Sequence, residues 1–130
     1  MADWEDVRRL ALSMPDAVEQ ESRGAPAWRV RGKVFVLDRP LRQTDLAHLG
    51  LTEQPGPVLG ARVDDEAVKH ALIAEDPTVW FTTPHFDGYA YVLVHLDRIS
   101  DRRLGELVTD AWLSVAPVRL ADAWLAEHPD

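Results

Sequence analysis

Apolar residues recur three and four apart in two stretches of this chain. Trp4, Val7, Leu10, Ala11 and Met14 form the first set; Leu104, Leu107, Val108, Ala111, Trp112 and Val115 form the second. Each spacing predicts a helix with one apolar stripe turned toward a core. Asp3 is placed to cap the first helix, Glu5 and Asp6 suit its positive end, and Pro15-Asp16 stops it. Ser100 or Asp101 caps the second, which runs to Ala116-Pro117. A shorter apolar set, Ala67, Val68, Ala71 and Leu72, predicts a helix capped by Asp64 or Asp65 and ended before Pro77. Leu120, Ala123 and Trp124 predict a short terminal helix.

Alternation replaces helical spacing elsewhere. Trp28 and Val30 alternate with Arg29 and Arg31, and Gly32 offers a turn before Val34-Phe-Val-Leu37, which predicts a β-hairpin. Residues 58–63, 79–82 and 89–96 predict three further strands. In the last, Ala90, Val92, Val94 and Leu96 share one face and Tyr89, Tyr91, Leu93 and His95 the other, so both faces are expected to be partly covered. Residues 17–26 read as a polar connection. Residues 40–57, rich in Pro and Gly, read as a loop with at most one helical turn. Strands and helices mix without strict alternation, which favours an α+β sheet packed on helices over a doubly wound parallel one.

Composition narrows the chemistry. With 130 residues and 46% hydrophobic content, the chain is expected to form one domain over residues 1–130. The absence of cysteine removes disulfides, thiolate metal sites and cysteine nucleophiles. No apolar run approaches the ~20 residues of a membrane span, and the N-terminus lacks a leader pattern, so a cytoplasmic protein without a membrane partner is expected. The net charge of -8 opposes nucleic-acid binding as a whole-molecule property. It is unevenly spread, however: residues 23–42 hold six basic residues against one acid, Asp38, a local +5 that leaves -13 elsewhere.

Arg29, Arg31 and Lys33 recur at a period of two, which in one extended strand would place them on a single face able to follow a phosphate backbone. Arg39 and Arg42 continue the basic run. The competing reading is a solvated strand face kept soluble by its charges. His85 and Asp87, with Tyr89 beyond them, sit in a Pro-flanked, Gly-ended turn where side chains can be offered to a ligand. As metal ligands, two groups fall short of the three or four that zinc takes. His95-x-Asp97 repeats the spacing, and Asp97 is expected to bond backbone near the next helix start. The N-terminal acids Asp3, Glu5, Asp6, Asp16, Glu19 and Glu21 have no calcium-loop spacing and read as caps and surface charge. Gly-rich phosphate loops are absent. No catalytic device, metal site or cofactor is expected, and the five tryptophans read as core.

The segment Val79-Trp-Phe-Thr-Thr-Pro-His85-Phe-Asp87-Gly-Tyr-Ala-Tyr91, continued by Val92-Leu-Val-His95-Leu-Asp97 and the helix ending at Ala116-Pro117, resembles the MmcQ/YjbR-like family. The likeness extends to the earlier part of the chain, through Leu12-Ser-Met-Pro15, acidic Glu19 and Glu21, the Trp28-Arg-Val-Arg-Gly-Lys-Val-Phe35 hairpin, and Asp64-Asp-Glu before a helix. The resemblance implies a small α+β domain, with a mainly antiparallel sheet packed against helices in a CyaY-like, double-wing arrangement. It also implies a non-enzymatic DNA-binding module, a label that would fall on Arg29, Arg31 and Lys33. The alternatives are a protein or small acidic ligand at the same hairpin, or an enzymatic or metal site at His85 and Asp87.

Overall fold

The computed structural model describes residues 2–129. Helix α1 (Trp4–Leu12) starts on a reciprocal capping box, the Asp6 amide donating to Asp3 Oδ1 and the Asp3 amide to Asp6 Oδ2, both at 3.0 Å. Such a cap contributes about 1 kcal/mol. Strands β1 (Ala17–Glu19), β2 (Ala27–Val30), β3 (Lys33–Asp38) and β4 (Val58–Arg62) follow, with α2 (Gln43–Leu49) between β3 and β4. Then come α3 (Glu66–Glu75), β5 (Trp80–Phe81), a single 3-10 turn at Pro84–Phe86, β6 (Tyr91–His95), α4 (Asp101–Val115) and α5 (Val118–Glu127). The strands form one antiparallel sheet in the order β1-β2-β3-β4-β6-β5.

One face of that sheet carries the main core. Trp28, Val30, Val36, Leu59, Ala61, Trp80, Val92 and Val94 point to it, and α1 and α4 close over them with Val7, Ala11, Leu104, Leu107, Val108, Ala111 and Trp112. The α4 stripe is buried as its spacing predicts. Each fully buried large apolar side chain stabilises the fold by about 1.5–3 kcal/mol. Two indoles keep their polar ends satisfied: Trp112 Nε1 donates to the Pro15 carbonyl and Trp28 Nε1 to Glu19 Oε1, each at 3.0 Å. Glu19 also takes Arg8 Nε at 2.8 Å, and this pair, not burial, holds its carboxyl below the usual range. Most of the N-terminal acids are thus engaged as caps and ion pairs: Glu5 with Arg8, Asp16 with Arg31.

Several elements differ from the sequence reading. Residues 17–19 add an edge strand, because pairing with β2 supplies what three residues without alternation cannot signal. Residues 43–49 form a true helix, ended by Gly50 in the left-handed region at φ 71°. Residues 118–127 make ten helical residues. The packing side of α3 is Lys69, Leu72 and Ile73, whereas Val68 is exposed.

The basic hairpin needs a further correction. Its strands are joined by a two-residue turn, Arg31 (φ 50°) and Gly32 (φ 84°), with both residues in the positive-φ conformation that matches strand twist. Arg31 therefore lies in the turn. Lys33 pairs with Val30 and so falls on the core side, while Arg29 pairs with Val34 on the other side. The three cations do not share a face.

Candidate functional site

Cross-strand pairs share a face, so Arg29, Val34, Leu37, Gly60, Arg62, Tyr91, Leu93 and Phe81 define the second side of the sheet. Half of it is covered: Leu41, Leu46, Leu49 and Phe86 pack on Val58, Leu93 and Phe81 as a second, smaller core. The other half is a pocket of about 440 Å³. Val34, Leu37, Gly60 and Tyr91 line it from the sheet; Ser22, Arg23 and Ala25 come from the turn before β2. Asp38, Arg39, Pro40 and Arg42 come from the end of β3 and beyond, and His85 and Phe86 from the 3-10 turn. A Cβ on Gly60 would stand 2.9 Å from Leu37 Cδ2 and 3.4 Å from Arg39 Cβ, so glycine is what lets these two side chains lie close to the sheet.

The charge at the pocket is organised by a buried ion pair. Arg39, 9% exposed, sets Nη2 at 3.2 Å from Asp45 Oδ2 and donates Nη1 to the Pro40 carbonyl. Asp45, 2% exposed, also takes the Arg42 amide at 2.9 Å, fastening the start of α2. Burial pushes the Asp45 carboxyl up, but the Arg42 amide, the nearby Thr83 hydroxyl and Arg39 together leave it below the usual carboxylate range. The Arg39 pKa is lowered as well, chiefly by burial, an effect partly countered by Asp45 and reinforced by the like charges of Arg42 and Arg23. Of these three guanidiniums, among the described residues only Arg39 has a carboxylate in ion-pair contact. Asp38, the one acid lining the pocket among the described residues, is half-buried and its pKa is raised by that burial.

The aromatic wall is equally fixed. The Arg39 guanidinium lies 5.2 Å from the Phe86 ring centre, the His85 ring meets Phe86 edge-on at 4.9 Å, and Tyr91 stands 6.2 Å from Phe86. Tyr91 Oη donates to the Val34 carbonyl at 3.3 Å and Arg62 sits 5.8 Å from its ring. Behind the wall, Lys69 is 1% exposed and donates Nζ to the carbonyls of Phe86 (2.7 Å) and Tyr89 (3.1 Å). The Gly88 amide donates to Glu66 Oε2 at 3.3 Å. Helix α3 thereby holds the turn that carries His85 and Phe86.

The residues singled out in the sequence are distributed unevenly over this geometry. Arg39, Arg42 and His85 meet at the pocket. Arg29 is on the same sheet face, half-buried, with Nη1 on the Gly32 carbonyl at 3.3 Å and Nε unpartnered. Arg31 is held by Asp16 at 2.6 Å, and Lys33 is exposed on the opposite side. Asp87 and Tyr89 are exposed on the turn and do not line the pocket. His95 stacks on Phe81 at 4.4 Å, its Nδ1 buried without a partner, and burial followed by the Arg98 charge lowers its pKa. Among the described residues Asp97 does not bond backbone as expected: its Oδ1 is buried and unpartnered. Sequence reasoning missed Arg23, Phe86, Tyr91 and Lys69 as site residues. The Thr-Pro-His-Phe turn was the one signal pointing near the last three.

An antiparallel sheet sealed by helices on one side, and half-open onto a basic, aromatic pocket on the other, makes this an α+β protein with its concave site on the sheet. Residues 12–114 match the model of the YjbR family, and the chain belongs to that family. It is 48% identical over 129 residues to uncharacterised proteins of Mycobacterium tuberculosis and Mycobacterium bovis, covering 97% of this chain and 98% of each relative. The crystal structure of a Deinococcus radiodurans protein with a DUF419 domain shares the fold at a TM-score of 0.68 and 21% identity, over 98% of this chain and 88% of that one. Among the described residues, no helix is long and apolar enough to cross a membrane.

Proposed function

We propose that this protein is a non-enzymatic, cytoplasmic binding module that takes an anionic ligand on the open half of its sheet. The observation that carries the reading is the convergence of Arg23 and Arg42, neither in ion-pair contact with a carboxylate among the described residues, on one pocket beside the Arg39–Asp45 pair in a chain whose net charge is -8. Like charges gathered at a concave site raise the local potential and draw anions there, against the field of the rest of the molecule. The experiment is a calorimetric titration with inorganic pyrophosphate at low salt. Heat that saturates in wild type and vanishes in the Arg23→Glu/Arg42→Glu variant supports the reading, and no heat in either contradicts it.

Nucleic acid is the second reading, and the lie of Arg29 on the same face beyond the pocket favours it. Arg23, Arg29 and Arg42 supply about three phosphate contacts, so log affinity for DNA should fall against log salt with a slope of no more than about 3. A fluorescence-anisotropy titration checks this. Tight binding that survives ~0.3 M salt, where the screening length is only several ångströms, would require a different surface.

A further inference from the structure

We infer that the ligand of this pocket is a small organic anion carrying a planar ring, held by its charge at Arg23 and Arg42 and by its ring against Phe86 and Tyr91. The inference rests on the anion reading above and specifies the body of the ligand as well as its charge.

Three features lead to it. The first is shape: the site is a concavity of about 440 Å³, within the range of pockets that enclose drug-sized molecules, whereas a phosphate backbone needs an extended groove. The second is the wall. A bare phosphate site is made of backbone amides and cations, but here half-buried Phe86 and Tyr91 stand 6.2 Å apart. The edge-on contact of His85 with Phe86 and the Tyr91 hydrogen bond to Val34 hold the corner in place, and Lys69 clamps the Phe86 carbonyl from behind. Rings presented in a fixed corner beside cations favour a flat, polarisable partner through stacking and cation–π contact.

The third is Arg23 itself. It occupies the first position of a tight turn at φ 52°, followed by Gly24 at φ 84°, and the Ser22 and Ala25 backbones close that turn at 2.8 and 3.1 Å. Arg31-Gly32 repeats the geometry at the next hairpin. Asn or Gly is the favoured residue at such a position, since a longer side chain is strained there. Arg31 has a structural reason to be present, its 2.6 Å ion pair with Asp16. Arg23 has no carboxylate partner among the described residues, and what it borders is the pocket. Strain retained without an internal contact directs the side chain's role outward.

The test is a set of calorimetric titrations of the full chain with guanosine monophosphate, indole-3-acetate, glycerol phosphate and inorganic pyrophosphate. Binding of the two ring-bearing probes at least about tenfold tighter than glycerol phosphate is expected from stacking in a desolvated corner. The phosphate and carboxylate arms tell which anionic group is preferred. Arg23→Asn, which relieves the turn and so leaves the melting temperature unchanged or higher, should weaken every probe by about tenfold. Phe86→Leu should weaken both ring-bearing probes by about tenfold and pyrophosphate by clearly less, so that the advantage of the rings is lost. Equal affinity for ringed and ringless anions overturns this inference and leaves the anion reading standing. Binding untouched by Arg23→Asn, or absent for all four probes, overturns both.

Discussion

The two faces of the sheet show what different kinds of sequence information build. On the closed face, Trp28, Trp80, Leu104, Leu107 and Trp112 interlock so that every one of them is buried, and the indoles of Trp28 and Trp112 keep their hydrogen bonds. On the open face, residues that burial alone would exclude, Arg39, Asp45 and Lys69, are buried and satisfied by one another or by carbonyls. The first face is held by apolar area, which is forgiving of detail. The second is held by specific polar contacts, and removing one partner leaves a desolvated charge.

That contrast sets the order of expected effects. Leu107→Asp puts a charge into the core between α4 and the sheet; several kcal/mol should be lost, and the far-ultraviolet spectrum should collapse at temperatures where wild type is folded. Asp45→Ala leaves Arg39 buried without its carboxylate and frees the first turn of α2, for a loss of about 3 kcal/mol in chemical denaturation. Amide exchange in residues 42–49 should accelerate before that of α4. An Asp45→Ala variant as stable as wild type would mean that the open face is no more dependent on polar pairing than the closed one.

Acid should act on the open face first. His95 is kept neutral by burial against Phe81 and by Arg98, its pKa lowered from 6.5. The unfolded chain therefore takes up its proton at higher pH than the folded one, so this contribution to stability is present above about pH 6.5 and declines as pH falls below it. Asp38 has the opposite sign. Its carboxyl is raised from 3.8 by burial, so it favours the fold below that value and loses that contribution as pH rises through the shifted one. Melting curves between pH 8 and 5 should show the acid decline in wild type and a weaker one in His95→Gln, while Asp38→Asn should raise stability at neutral pH. The smallest expected effect on stability is that of Arg42→Glu: an exposed change worth within about 0.5 kcal/mol, visible in ligand binding and not in melting.

The same contrast explains which parts were legible in the sequence. The α4 stripe and the alternation in β6 are local patterns, and local patterns suffice for the closed face. Helix α2 lies in a stretch whose Gly50, Pro55, Gly56 and Pro57 signal a loop with at most one helical turn, and Leu93, in the cluster that Leu46 and Leu49 pack against, is more than 40 residues further along the chain. Arg29, Arg31 and Lys33 looked like one stripe because period-two spacing was carried across Gly32; two positive-φ residues turn the chain there and send Lys33 to the other side. Nothing in the local spacing marks Lys69. Its role exists only once residues 86–89 fold over it. The pocket draws on four separate segments brought together by the β3-β4-β6 pairings, and nothing in local spacing records that meeting.

The most direct measurement compares two double variants that remove equal charge from the two sides: Arg23→Glu/Arg42→Glu at the pocket and Arg31→Glu/Lys33→Glu at the hairpin turn. Guanosine monophosphate binding, followed by calorimetry at low salt, should be lost in the first pair and stay within about twofold of wild type in the second. The reverse outcome, with binding lost at Arg31 and Lys33 and kept at Arg23 and Arg42, would contradict the assignment of function to the open face.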